Sequence, residues 1–262
     1  MPSVLTIAGS DSSGRAGIQA DLRTLTMLGV HAATAITAIT AQNTRGVIAI
    51  EPVAADLVTA QIESVAAEAL GATKIGMLAT AAIVEAVAAA VEDLELPLVV
   101  LDPVLASTSG ARLLDDDGVQ TLMLELLPRV LVVTPNLPEA EALSGVRIQS
   151  SDDVRRAAKQ LHAMGAANVI IKGGHRTPVP SANSPAQSPG PSPQPPIVDL
   201  LFDGREFHEL RVAHAAGVNT RGTGCSHSSA LAAFLAMNDS LLTAAGKAQQ
   251  HVARLIGSYT ER

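Results

Sequence analysis

Short runs of aliphatic and β-branched residues alternate along this chain with longer stretches of helical periodicity. That alternation restricts the fold more than any other feature. Residues 4–8, 34–40, 98–101, 130–134 and 169–171 read as buried strands. Leu57, Val58, Ile62 and Val65 mark the face of one helix between them. Ile83, Val84, Val87 and Val91 mark a second, and Val154, Ala157, Ala158 and Leu161 a third. Leu241, Ala245, Ala248, Val252 and Leu255 repeat the pattern near the end. Strands joined by such helices call for right-handed crossovers, so the expected fold is α/β, a mostly parallel central sheet with helices on both faces. Only 2% of residues are aromatic and none is Trp, so Ala, Val, Leu and Ile must build the core, as suits strands buried on both faces.

The 262 residues fit a single domain, 1–262. One segment interrupts it: eight of the 15 prolines lie between Pro178 and Pro196, among Ser, Ala, Gln and Gly. Residues 176–196 cannot bury enough apolar surface to fold alone, and are expected to form a flexible insertion. An SH3-type ligand is the other reading of that composition. The net charge of −7 points away from nucleic acid and anionic membranes as partners. No apolar run reaches the ~18 residues of a spanning helix. The start of the chain lacks the basic stretch of a signal peptide, and one cysteine allows no intrachain disulfide. A cytoplasmic compartment is the expectation.

Polar residues just after a strand matter most, because ligands bind beyond the carboxyl ends of parallel strands. The stretch 8–21 is a Gly/Ser-rich turn running into a helix, whose first turn offers N–H donors. Its spacing matches neither the dinucleotide fingerprint nor a Walker A loop. In Gly222-Thr223-Gly224-Cys225, a second glycine turn opens a helix and forms an anion hole for a transferring phosphoryl group. The same donors lower a cysteine's pKa, so Cys225 is the candidate general base; the alternative is a small buried hydrophobe. Asp102 ends a strand, and Asn136 and Glu139 follow another. Asp102 and Glu139 suit Mg²⁺, or equally helix-terminal and turn chemistry. Gln42 can read a heterocycle edge, and Lys172 can meet a phosphate or lie at the surface.

In order, the chain carries A-G-S-D-S-S-G-x-A-G-I-Q-A-D (8–21), T-A-Q-N-T (40–44), K-I-G-M-L (74–78) and D-P-V (102–104). T-P-N-L-P-E-A-E (134–141), K-G-G-H (172–175) and G-T-G-C (222–225) follow. On these seven motifs it resembles the hydroxymethylpyrimidine/phosphomethylpyrimidine kinases of thiamin biosynthesis, within the ribokinase superfamily. The resemblance implies a ribokinase-like fold, ATP and Mg²⁺, and a homodimer. It implies phosphorylation of 4-amino-5-hydroxymethyl-2-methylpyrimidine, then of its monophosphate. By position, Gln42, Gly9, Asp21, Met77 and Val104 would bind or flank the pyrimidine. Lys172, Asn136, Thr220 and Lys247 would serve the nucleotide, Asp102 and Glu139 the metal. Gly222, Thr223 and Gly224 would form the anion hole, with Cys225 as base.

Three features depart from the family pattern. Arg221 stands where the family has His, Arg15 where it usually has Gly, and the proline-rich stretch falls at a flap-like region near the site. A pyridoxine or pyridoxal kinase is one alternative expectation. A ligand-binding protein of this fold without catalysis is another.

Overall fold

A computed structural model describes residues 1–173, 196–213 and 222–258 of the chain. Its centre is β1 (Ser3–Asp11), every residue of which is buried except Ser10, which is partly so. β1 runs parallel to β2 (His31–Asn43) on one side and to β4 (Ala72–Ile75) on the other. β5 (Val99–Leu101), β6 (Val132–Val133) and β7 (Val169–Ile171) extend the parallel series. Antiparallel strands close both edges: β3 (Gly46–Pro52) beside β2, and β8 (Ile197–Phe202) and β9 (Phe207–Val212) beyond β7. Among the described residues the sheet has nine strands, ordered β3-β2-β1-β4-β5-β6-β7-β8-β9.

Strand alternation feeds two cores. Leu5, Ile7, Ile75, Val99, Leu101, Val169 and Ile171 point to one face, against α2 (Ala55–Ala66), α3 (Ala81–Asp93), α5 (Leu137–Ser144) and α6 (Ser151–Ala163). Also on that face, α4 (Asp116–Thr121) runs on through a π-helical turn, Leu122–Leu126. Val4, Ala72, Val100, Val132 and Ile170 point the other way, under α1 (Gly17–Met27), α7 (Thr223–Ala236) and α8 (Leu241–Ser258). There Ala230, Ala232 and Ala233 of α7 pack in one cluster with Ala244, Ala245 and Ala248 of α8. Such small side chains permit the close helix packing that a core poor in aromatics requires.

The expected fold is therefore the observed one, with shifted boundaries. The strands expected at 4–8 and 34–40 extend to Ser3–Asp11 and His31–Asn43. Those expected at 98–101 and 130–134 shrink, the first because Leu98 has φ +40° and turns the chain before β5 begins. Of the face predicted for α2, Val58 and Ile62 are buried but Leu57 is 55% exposed. No described helix is long and apolar enough to cross a membrane. Nearly all of the proline-rich stretch lies outside the described residues.

Candidate active site

A cavity of about 400 Å³ opens at the carboxyl ends of the parallel strands. Gly9, Ser10 and Asp11 line it from the end of β1, and the turn that follows is built around Asp11. The Asp11 carboxylate accepts from the Ser13 N–H at 2.7 Å, the Ala16 N–H at 2.8 Å and the Arg15 N–H at 3.1 Å. Ser12 ties this loop to β2, its hydroxyl donating to the Gln42 carbonyl at 3.1 Å and accepting from the Gln42 N–H at 3.0 Å. Gln42 and Met77 line the same end, with Val104 nearby. A methyl group on Gly9 would come within 2.9 Å of Met77 Sδ, so the first loop and the Met77 side chain share this wall closely.

The amino end of α7 forms the opposite wall. Its cap, Gly222, has φ +77°, and a Cβ there would lie 1.9 Å from the Arg15 carbonyl oxygen. The two glycine loops therefore touch, and only glycine fits at the contact. Gly222, Thr223, Gly224 and Cys225 all line the cavity. Cys225 is not the pre-ionised thiolate that a helix start suggests. Burial pushes its pKa up to about 11; Lys74 and the Gly17 N–H pull down, while Asp21 and Asp102 push up. Desolvation is the largest influence and the two carboxylates add to it, so the thiol is the resting form at neutral pH.

Between these walls lies a charged cluster. Lys172 Nζ donates to Asp102 Oδ1 at 2.7 Å, and the pair stands beside Gly224, whose ideal Cβ lies 3.4 Å from that nitrogen. Burial disfavours charge on both, yet their mutual attraction prevails: Lys172 is held above its ordinary pKa and Asp102 below. Ser228 Oγ reaches Asp102 Oδ2 at 3.3 Å. Asn136 caps α5 in a reciprocal box with Glu139, so Glu139 has a capping role. Glu139 nonetheless faces the cavity, and its pKa rises to about 7, chiefly from burial; Lys172 lowers it and Asp102 raises it.

The structure thus gathers Gly9, Gln42, Met77, Val104, Asp102, Asn136, Glu139, Lys172 and Gly222 to Cys225 around one cavity. Two expected residues do not line it. Asp21 is fully buried, accepting from Thr6 Oγ1, Lys74 Nζ and Ser229 Oγ, each at 2.7 Å, so it braces the site rather than meeting substrate. Lys247 turns outward and donates to both Asp239 carboxylate oxygens, at 2.8 and 3.0 Å. Thr220, Arg221 and His175 lie outside the described residues. The Arg15 side chain is exposed, and the residue meets the site through its carbonyl. The sequence reading missed Lys74, Asp199, His227 and Gln249, which also line the cavity. Their signal was available: a lysine inside a buried strand, and four polar residues, Ser226 to Ser229, opening an otherwise apolar helix.

Comparison with known proteins agrees with this geometry. The phosphomethylpyrimidine kinase family model matches residues 11–261. A hydroxymethylpyrimidine/phosphomethylpyrimidine kinase of Haemophilus influenzae is 45% identical over 97% of the chain and 90% of its own length. The thiamine biosynthesis bifunctional protein of Geobacter sulfurreducens is 42% identical over 97% of the chain; the chain spans 49% of that protein's length. Among solved structures, phosphomethylpyrimidine kinase from Clostridium difficile superposes with a TM-score of 0.80 at 33% identity, over 98% of this chain and all of that one. Pyridoxal kinase from Staphylococcus aureus, in complex with AMP-PCP and pyridoxal, superposes with a TM-score of 0.82 at 32% identity, over 98% and 88%. With its motifs arranged around one cavity and the family model matched over residues 11–261, this chain belongs to the phosphomethylpyrimidine kinase family.

Proposed function

We propose that this chain transfers the γ-phosphoryl group of ATP to the hydroxymethyl oxygen of 4-amino-5-hydroxymethyl-2-methylpyrimidine, and then to the resulting monophosphate. One observation carries the reading: the buried Lys172–Asp102 pair and the amino end of α7 share a cavity with the Gln42 and Met77 wall. Phosphoryl transfer needs charge stabilisation and alignment more than covalent chemistry, and this arrangement supplies both.

Gln42 offers a donor and an acceptor to the pyrimidine, and Met77 and Gly9 shape the wall beside it. Lys172 and the helix terminus at Gly222 to Gly224 neutralise phosphate charge. Cys225 takes the hydroxyl proton in its thiolate form, the minor form that a pKa of about 11 leaves at neutral pH, and becomes the neutral thiol as the acceptor oxygen attacks. Asp102 and Glu139 suit Mg²⁺. Glu139 and Asp102 both face the cavity, and two protein oxygens suffice for an ion that keeps waters and phosphates. When bound, the ion offsets charge on the nucleotide phosphates.

A coupled ADP-release assay with purified protein, ATP and the pyrimidine alcohol tests the reading; no release above background would sink it. The likeness to a pyridoxal kinase solved with pyridoxal makes that substrate the second reading. The ratio of kcat/KM for the two alcohols separates them. We propose a homodimer as the working assembly, to be read from its mass in solution by light scattering.

A further inference from the structure

The far end of the cavity holds a polar group that the mechanism above does not use. His227, in the first turns of α7, is 4% exposed and lines the cavity. Neither ring nitrogen has a hydrogen-bond partner among the described residues. Its Nε2 stands 3.8 Å from Asp199 Oδ2, beyond hydrogen-bond range. Asp199 is itself fixed, its Oδ1 accepting the Gly173 N–H at 2.8 Å. The same cavity is also lined by the apolar Ile197, Val212, Val252 and Ile256, and by Gln249, which hydrogen-bonds Asp199. Buried polar atoms are almost always paired, so an unpaired imidazole facing a cavity is set to meet a ligand's polar atom.

Burial pushes the His227 pKa down to about 3, with Lys172 pulling the same way. A neutral ring presents one donor and one acceptor, and a hydroxyl group can use both whereas a phosphate oxyanion uses only the donor. Position narrows the choice further. His227 feels the charges of Lys172 and Asp102, which mark the phosphate-binding cluster, while apolar residues of the same cavity suit a flat base. The sugar of a nucleotide lies between those two parts.

We propose that His227, with Asp199 behind it, hydrogen-bonds a ribose hydroxyl of the phosphoryl donor and makes this site selective for ribonucleotides. The proposal rests on the nucleotide reading above. Loss of a matched hydroxyl leaves the buried ring unpaired again, so a deoxynucleotide should bind more weakly by about tenfold.

Titration calorimetry of the full chain with ATP, 2′-deoxy-ATP, 3′-deoxy-ATP and GTP tests it without any turnover. The unmodified protein should bind one of the two deoxy analogues about tenfold more weakly than ATP. His227→Leu should weaken ATP binding to the level of that analogue, bringing the ratio close to one. His227→Gln, which keeps a donor and an acceptor, should restore part of the preference. Retention of the full ATP preference in His227→Leu would overturn the proposal and leave the nucleotide reading intact. So would a change confined to the ATP-to-GTP ratio, since that assigns His227 to the base. Binding of no nucleotide by the unmodified protein would overturn both.

Discussion

Asp21 accepts a hydrogen bond from Lys74 Nζ at 2.7 Å, and both side chains are fully buried. The remaining acceptor capacity of Asp21 goes to Thr6 and Ser229, which joins β1, β4, α1 and α7 beneath the cavity. Lys74 is held above its ordinary pKa although burial opposes the charge, because Asp21 stands against it. Removing one partner leaves the other charge buried and uncompensated, a loss of about 3–5 kcal/mol. Asp21→Asn and Lys74→Met should each lower stability by that order in urea titrations. Asp21→Leu combined with Lys74→Met should recover much of it. A loss below about 1 kcal/mol for Asp21→Asn would show that the pair does not brace the fold.

Cys225 gives a second test, and the chain has no other cysteine to confuse it. With the thiol pushed up to about 11 from its ordinary 9.0, alkylation by iodoacetamide should quicken about tenfold per pH unit from pH 8 to 10. It should level off only near pH 11. The folded state disfavours the thiolate, so stability contributed by this group falls as pH rises from about 9 to about 11. A plateau in the alkylation rate by pH 8 would mean an ionised resting cysteine. Cys225→Ser should lower kcat by about 10²–10⁴-fold, the range of a lost general base, with substrate affinity kept. Unchanged turnover would remove Cys225 as the base.

Cys225 also separates what the sequence reveals from what it does not. Helix-start chemistry was legible in Gly-Thr-Gly-Cys, and so was the place of that turn in the site. The protonation state of Cys225 was not, because it depends first on burial and then on Lys74, Asp21 and Asp102, which only the fold brings close. Strand–helix alternation made the parallel centre of the sheet readable. The edge strands β3 and β9 were less so, since their partly exposed faces break the aliphatic runs that mark β1 or β5, and the run of β8 is interrupted by the buried Asp199. The bracing of Asp21 was not legible either, because its partners Thr6, Lys74 and Ser229 come from three other elements.

Glu139 offers a test of electrostatics by pH. Its ordinary value near 4.5 rises to about 7 in the folded chain, mainly through burial. Between those values the folded state holds more protons than the unfolded one. Stability from this group is therefore present at low pH and lost as pH rises through that window. Glu139→Gln keeps a side-chain acceptor for the Asn136 N–H, so the helix cap survives. It should gain stability relative to the parent between pH 4.5 and 7.5, as urea midpoints across that range would show. Asp199 is raised to about 6 in both proteins and cancels in the difference. A midpoint difference that stays flat with pH would mean that Glu139 titrates normally and lies in a better solvated place.

Gly222 concentrates the two-loop contact in one atom. Its φ of +77° already costs any L-residue about 1–2 kcal/mol, and a Cβ would sit 1.9 Å from the Arg15 carbonyl. The Arg15 backbone is held in turn by Asp11, so the first loop cannot retreat without losing the hydrogen bonds that shape it. Gly222→Ala should therefore cost at least that much stability. It should also lower kcat by about tenfold or more, because the amino end of α7 moves relative to the phosphate-binding cluster. Gly14 provides the control. It also has a positive φ, +70°, but nothing lies within 4 Å of its ideal Cβ. Gly14→Ala should then show the backbone cost with little change in kcat. Equal losses of activity in the two variants would show that backbone strain alone, and not the contact between the loops, governs the site.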